Sequence, residues 1–303
     1  MFSRRRFVAG AIAGAVGAPV ARAFGQGRSG AVPLIDSHVH VWKHDAAFPF
    51  AGGAKPPAED ATAEMLLELM KANGVVRTVI VQVIHYRWDN RYLADVLRRY
   101  PGVFKGVCRV DPQNAAAPDE LARLTEKEGF HGVRLSPGAG ADGDWIRGPL
   151  MPALWGRCAE LKVPMTLLIP GSRIADVEGL IKANPGLQVV IDHMADVGPG
   201  QPKEFEMLLG LARYPKVFVK ISHLWSLSKE AYPYADMVGQ VKSLVGAFGA
   251  SRLMWGTDWP ISLKQLSYAQ AVGLYRDHLD YLSARDREQI LYRTVQEVWG
   301  FGV

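Results

Sequence analysis

Short apolar runs rich in Val, Ile and Leu alternate along this chain with longer stretches in which apolar residues recur every three or four positions. The first kind predicts β-strands at Leu34–Val41, Thr78–Val83, Phe104–Val110, Gly132–Leu135, Pro164–Ile169, Val189–Asp192, Val217–Ile221 and Leu253–Trp255. The second predicts helices at Ala63–Asn73, Tyr92–Tyr100, Pro118–Glu128, Pro152–Leu161, Ile174–Ala183, Pro202–Tyr214, Tyr234–Phe248, Tyr268–His278 and Ala284–Val298. Several of these close on helix-stopping pairs such as Asn73-Gly74 and Tyr214-Pro215. Runs like Val79-Ile80-Val81 and Val189-Val190-Ile191 are too uniformly apolar for a sheet with one wet face, so the strands should be parallel and covered on both sides. Eight strand–helix repeats predict an α/β fold, one distorted (β/α)8 TIM barrel, which typically takes about 250 residues. An open doubly wound sheet is the rival, but neither G-x-G-x-x-G nor G-x-x-x-x-G-K-[ST] occurs.

The pattern fails before Pro33. Residues 1–23 hold Ser3-Arg4-Arg5-Arg6-Phe7, a weakly apolar run from Val8 to Val20, and Ala21-Arg22-Ala23. This order reads as a twin-arginine signal peptide with a small-residue cleavage site. The run falls short of the roughly 20 apolar residues a membrane span needs. Residues 24–32 read as a flexible tether, and 33–303 as the single domain. The leader implies a bacterial periplasmic or secreted protein whose first partner is the export machinery. Removing it takes away Arg4, Arg5, Arg6 and Arg22 and no acid, so the formal charge falls by four, from +5 to +1. A near-neutral domain gives no electrostatic case for nucleic acid or a stable membrane anchor. The expected partner is a small-molecule substrate, and a homo-oligomer stays open. Cys108 and Cys158 are too few for a disulfide framework and read as buried free thiols. The insertion 43–62 leaves the first strand on the face where barrels keep their active sites, so it is expected to cap the site.

Candidate chemistry sits at strand ends. Asp36, His38 and His40 alternate along the first strand and share one of its faces. His193 closes the sixth strand, and Asp258 follows the eighth. Singly, each suits a satisfied core histidine or a helix-capping aspartate; jointly, a barrel brings them to one rim. Arg134 and Lys220 can pair with a substrate carboxylate or with internal acids such as Asp111 or Asp192. Gln82, His85, Tyr86, His223 and Trp225 follow strands and read as pocket liners. Trp42, Trp88 and Trp259 suit either a ring-binding wall or the core.

Five motifs occur in order: Ile35-Asp-Ser-His-Val-His-Val-Trp42, Gly132-Val-Arg134-Leu, Val190-Ile-Asp-His193, Phe218-Val-Lys220-Ile-Ser222 and Arg252-Leu-Met-Trp-Gly-Thr-Asp-Trp-Pro260. In these the chain resembles the amidohydrolase superfamily, in its amidohydrolase-2 branch of fuconolactonase-like and pyrone-dicarboxylate lactonase-like enzymes with related decarboxylases. The resemblance spans Leu34 to about Gly300. It implies a distorted (β/α)8 barrel, His38 and His40 as the first-strand pair, and Asp258 as the proton-transfer residue. It departs from metal-dependent relatives at the fourth and fifth strand ends, which read Leu135-Ser136-Pro137 and Leu168-Ile169-Pro170 instead of carrying a histidine or bridging lysine. A single divalent ion, Zn or Mn, would rely on His38, His40 and Asp258; the alternative is metal independence.

Ester hydrolysis needs an activated water, a proton acceptor that later returns its proton, and a group that stabilises the oxyanion. Asp258 and His193 suit these catalytic roles, with Arg134, Gln82, His85, Tyr86, Lys220 and His223 as substrate contacts. The expected activity is hydrolytic opening of a lactone or cyclic ester of a small carboxylated acid. The alternatives are a metal-dependent decarboxylase of an unsaturated acid and a non-catalytic periplasmic solute-binding protein.

Overall fold

The computed structural model describes residues 32–53, 55–137 and 144–302, so the leader and most of the tether lie outside the described residues. Eight parallel strands follow one another around the sheet in chain order: β1 (Leu34–Val39), β2 (Val75–Val81), β3 (Phe104–Cys108), β4 (Gly132–Leu135), β5 (Met165–Leu167), β6 (Val189–Ile191), β7 (Val217–Lys220) and β8 (Leu253–Met254). The barrel closes between its first and last strands. Ser37 donates its N–H to the Trp255 carbonyl (3.2 Å), Asp258 to His38 (2.8 Å) and His40 to Trp259 (2.7 Å).

Between the strands run α1 (Ala63–Asn73), α2 (Arg91–Arg99), α3 (Ala117–Glu128), α4 (Met151–Leu161), α5 (Ile174–Ala183), α6 (Pro202–Gly210), the one-turn α7 (Leu224–Leu227), α8 (Val238–Phe248), α9 (Tyr268–Asp277), α10 (Ala284–Glu288) and α11 (Thr294–Trp299). The sequence signals act as expected. Thr62 caps α1 by accepting the Met65 N–H (3.3 Å), and Gly74 ends it in the left-handed conformation. The helix predicted over 284–298 is interrupted, since Gln289–Arg293 form a π-helical turn between α10 and α11.

Alternation by two sorts the barrel interior. Ile35, Val79, Val81, Val107, Val190, Phe218 and Met254 form a buried cluster with Val295, Val298, Trp299 and Phe301 from the chain's end. Two residues further along three of those strands the same face becomes ionic, at Arg109, Asp192 and Lys220, all buried. The barrel is thus plugged with apolar side chains at its amino-terminal end and charged toward its carboxyl-terminal end. Outside it, the main core packs helices against the strands and buries Cys108 and Cys158 as free thiols. Among the described residues, no helix is long and apolar enough to cross a membrane.

Candidate active site

His38, His40, His193, His223, Asp192 and Asp258 meet at the carboxyl-terminal rim. His40 donates its Nδ1–H to the Val81 carbonyl (2.7 Å), because a carbonyl can only accept. Its Nε2 lone pair therefore faces Asp258 Oδ1 at 3.3 Å. His38 Nε2 lies 3.3 Å from His40 Nε2 and 3.5 Å from Asp258 Oδ1.

Oδ1 is buried and carries no hydrogen bond, whereas Oδ2 receives the Nε2–H of His223. Burial would raise the Asp258 carboxyl, but the His223 hydrogen bond and the neighbouring imidazoles hold it well below the usual range. It is an ionised base at neutral pH.

Behind this face lies an ionic layer. Asp192 is 3.1 Å from Lys220 Nζ, 3.3 Å from Arg134 Nε and 3.3 Å from His38 Nδ1. Burial opposes its ionisation, but Lys220, His38 and Arg134 outweigh that and keep it far below the ordinary carboxylate value. Burial, and then the Lys220 charge, push His38 down to about 3. Burial also takes His193 well below the imidazole range, helped by the neighbouring His223 and His38. The two rings are neutral. His193 Nδ1 meets the Ser222 hydroxyl at 2.8 Å, and its ring stacks on His223 at 3.8 Å and 13°.

Asp36 turns to the seam between β1 and β8. It accepts from Thr257 Oγ1 (2.6 Å) and from the backbone N–H groups of Thr257 and His38 (3.0 Å each). Burial nonetheless pushes it up to about 7.

Among the described residues, three overlapping His/Asp groups lie close enough to share an ion: His38–His40–Asp258, His38–Asp192–His193 and His193–His223–Asp258. Chemistry selects the first. The stacked rings of His193 and His223 send their in-plane lone pairs out in parallel, so they cannot both aim at one ion. Asp192 is already committed to Lys220 and Arg134. In the first group, His38 Nε2, His40 Nε2 and an orphaned carboxylate oxygen face one another at 3.3 to 3.5 Å. With the His38 proton on Nδ1 toward Asp192, these three atoms all present lone pairs and repel one another unless a proton or cation lies among them.

The remaining predicted residues divide. His223 stands at the centre of the site. Arg134 and Lys220 both meet Asp192, the internal partner that the sequence offered as their alternative. Gln82 Nε2 bonds the Asp89 carbonyl, and the Tyr86 hydroxyl bridges the backbone N–H and C=O of Lys43, tying both to loop backbone. His85 packs edge-on against Trp42 at 5.5 Å. The insertion 43–62 is pinned at its base by paired Trp42–Ala61 hydrogen bonds and lies on this turn, with Phe50 stacked on Tyr86 and the Ala51 N–H on the His85 carbonyl. Trp42 and Trp259 are buried, Trp225 meets the edge of His223, and Trp88 lies under the Arg109 guanidinium.

Arg109 and Ser222 were not singled out from sequence. Their signal is the two-residue step from Val107 and from Lys220, which keeps each on the same face of its strand as that residue.

Comparison with known proteins covers nearly the whole barrel. Residues 35–301 match the family model described as Amidohydrolase. The chain is 33% identical over 241 residues to an L-fucono-1,5-lactonase of Burkholderia ambifaria, covering 75% of this chain and 80% of that protein. It is 30% identical over 238 residues to a 2-pyrone-4,6-dicarboxylate hydrolase of Comamonas testosteroni, covering 75% and 76%. A crystal structure of an amidohydrolase from Burkholderia multivorans with bound zinc superposes with a TM-score of 0.74 at 21% identity, covering 89% of this chain and 100% of that one.

Proposed function

This chain belongs to the amidohydrolase family, and on that premise we propose that it is a hydrolase that opens a lactone or related cyclic ester of a small carboxylated acid. One observation carries the reading: the ionised Asp258 carboxylate presents an unbonded, buried Oδ1 to the His38 and His40 imidazoles at 3.3 to 3.5 Å. A water placed there meets a base with no competing donor.

Asp258 takes the proton as the water attacks the acyl carbon, and returns it to the leaving alkoxide when the ring C–O bond breaks. With Ser222 O–H donating to Nδ1, neutral His193 keeps its proton on Nε2 and can donate to the tetrahedral oxyanion. A divalent ion such as Zn or Mn, held by His38 Nε2, His40 Nε2 and Asp258 Oδ1, would lower the pKa of its water toward ~7 and polarise the carbonyl. The Asp192–Lys220–Arg134 layer fixes His38 from behind and keeps its Nε2 turned to the site.

The arginine-rich leader supports the further proposal that the protein is exported folded and works outside the cytoplasm on a small-molecule substrate.

The test is turnover of a panel of carboxylated and neutral lactones by wild type and Asp258→Asn, with ring-opened acid and CO₂ quantified separately. Expected are ring opening without CO₂ and a loss of roughly 10³-fold or more in Asp258→Asn, on the scale of removing a catalytic base. CO₂ release in place of ring opening, or full activity in Asp258→Asn, would overturn the reading.

A further inference from the structure

The two oxygens of Asp258 are in different states, and His223 makes them so. His223 stands where β7 gives way to α7, in the left-handed conformation (φ 65°), and Asp258 is left-handed as well (φ 55°). A side-chain-bearing residue holds such a conformation only where its surroundings over-determine it, and this is typical of functional sites. What fixes the His223 ring is visible. It stacks face to face on His193, meets Trp225 edge-on at 4.7 Å, and turns Nδ1 toward Asp196 Oδ1 at 3.9 Å.

The remaining nitrogen, Nε2, contacts Asp258 Oδ2. An ionised carboxylate only accepts, so this nitrogen carries the proton. Without that donor, Asp258 keeps two equivalent oxygens and a carboxylate free to rotate about its terminal torsion. With it, Oδ2 is held and Oδ1 is left unbonded toward His38 and His40.

We propose that His223 is a positioning residue for Asp258: its Nε2–H anchors Oδ2 and thereby aims Oδ1 at the reacting water. This rests on Asp258 being the proton acceptor, as proposed above. It gives His223 a role different from the substrate contact expected from its place after a strand.

The competing roles leave different kinetic signatures. A substrate contact raises KM, and a packing residue lowers stability without regard to whether its replacement can donate. Steady-state kinetics on the opened lactone are measured for wild type, His223→Gln and His223→Ala, with thermal unfolding of each protein as the check on folding. The Gln amide N–H reaches about as far as His Nε2, whereas Ala has no donor.

Expected for His223→Ala is a kcat reduced about 10- to 100-fold, the usual scale for losing the partner that orients a site ligand, with KM within about 3-fold. His223→Gln should recover most of that loss. A raised KM at unchanged kcat, an unchanged kcat in His223→Ala, or a Gln variant no better than Ala would each overturn the proposal. If His223→Ala does not fold, His223→Asn, whose amide stops short of Oδ2, takes its place with the same expectations. Failure of the parent reading looks different, because Asp258→Asn would then retain activity whatever His223 does.

Discussion

Asp192 illustrates how much one buried residue can decide. It is fully buried, and its two oxygens serve Lys220, Arg134 and His38 at 3.1 to 3.3 Å. Whether such a cluster stabilises the fold relative to an apolar core is a separate matter from what happens when it is broken, since removing one partner strands the others without water. Asp192→Asn keeps the shape but leaves two buried cations without their carboxylate. It should cost about 3–5 kcal/mol in urea unfolding and also reduce activity, because His38 loses the anchor on its Nδ1. A loss below 1 kcal/mol would mean that water reaches this layer.

The same residue marks a limit of reading by sequence. His38, His40, His193 and Asp258 stood out because a polar ionisable group interrupts an apolar strand pattern at the rim. Asp192 sits beside His193 and showed only as a possible partner for cations. The left-handed backbone of His193, His223 and Asp258 was illegible, since none is glycine and only tertiary contacts force a positive φ on such residues.

At the scale of elements, the barrel depends on one narrow seam. β8 has only two residues in its ladder, and β1 changes register against β2 between Asp36 and Val39. Closure therefore falls to the strand ends and to the Asp36–Thr257 hydrogen bonds. Gly256 lies in this seam with no room to spare: a Cβ there would stand 2.8 Å from His38 Cβ and 3.1 Å from His38 N. Part of that contact is backbone, which cannot swing aside. Gly256→Ala should destabilise by about 1–3 kcal/mol, as overpacked sites do. It should also lower kcat, because the strands it pushes apart carry His38 and Asp258. Thermal unfolding and lactone turnover measured together check this, and an unchanged melting temperature would show that the seam can flex.

Element order, strand direction and several whole elements, including Gly132–Leu135, Ala63–Asn73 and Ile174–Ala183, were legible from periodicity alone. The misjudged parts were ends. Val41 and Trp255 continue an apolar run but have left the ladder, because burial at the rim follows loop packing as readily as pairing. The π-helical turn at Gln289–Arg293 escaped for a related reason, since one shifted backbone hydrogen bond hardly alters a 3.6-residue apolar pattern.

On the scale of the whole molecule, the barrel separates chemistry from stability along its axis, and one group that couples stability to pH lies at the end away from the chemistry, where substitution isolates its share from those of His38 and Asp36. His131 lies just before β4, at the end opposite the active site, with its Nε2 2.8 Å from Lys105 Nζ. Burial first, and the Lys105 charge second, push its pKa down to about 4. In the unfolded chain an imidazole titrates near 6.5. Between those values the unfolded state therefore binds more protons than the folded one. Its contribution to stability is complete above about pH 6.5 and is lost as pH falls toward 4. The slope cannot exceed about 1.4 kcal/mol per pH unit for one proton, and partial exposure of the ring reduces it further. The salt-bridged Glu64 and Glu178 do not confuse the window, because hydrogen bonds from Arg99 and Tyr100 to the first, and from Tyr214 and Arg213 to the second, help hold both carboxyls down to about 2 against burial, so their contributions fade below about pH 4.5. His131→Gln, which cannot titrate, should flatten the urea-unfolding profile between pH 6.5 and 4.5 relative to wild type and leave kcat near neutral pH unchanged. A variant whose stability falls with acid as steeply as wild type's would place the acid-sensitive group elsewhere, with the buried imidazoles at the catalytic rim the next to examine.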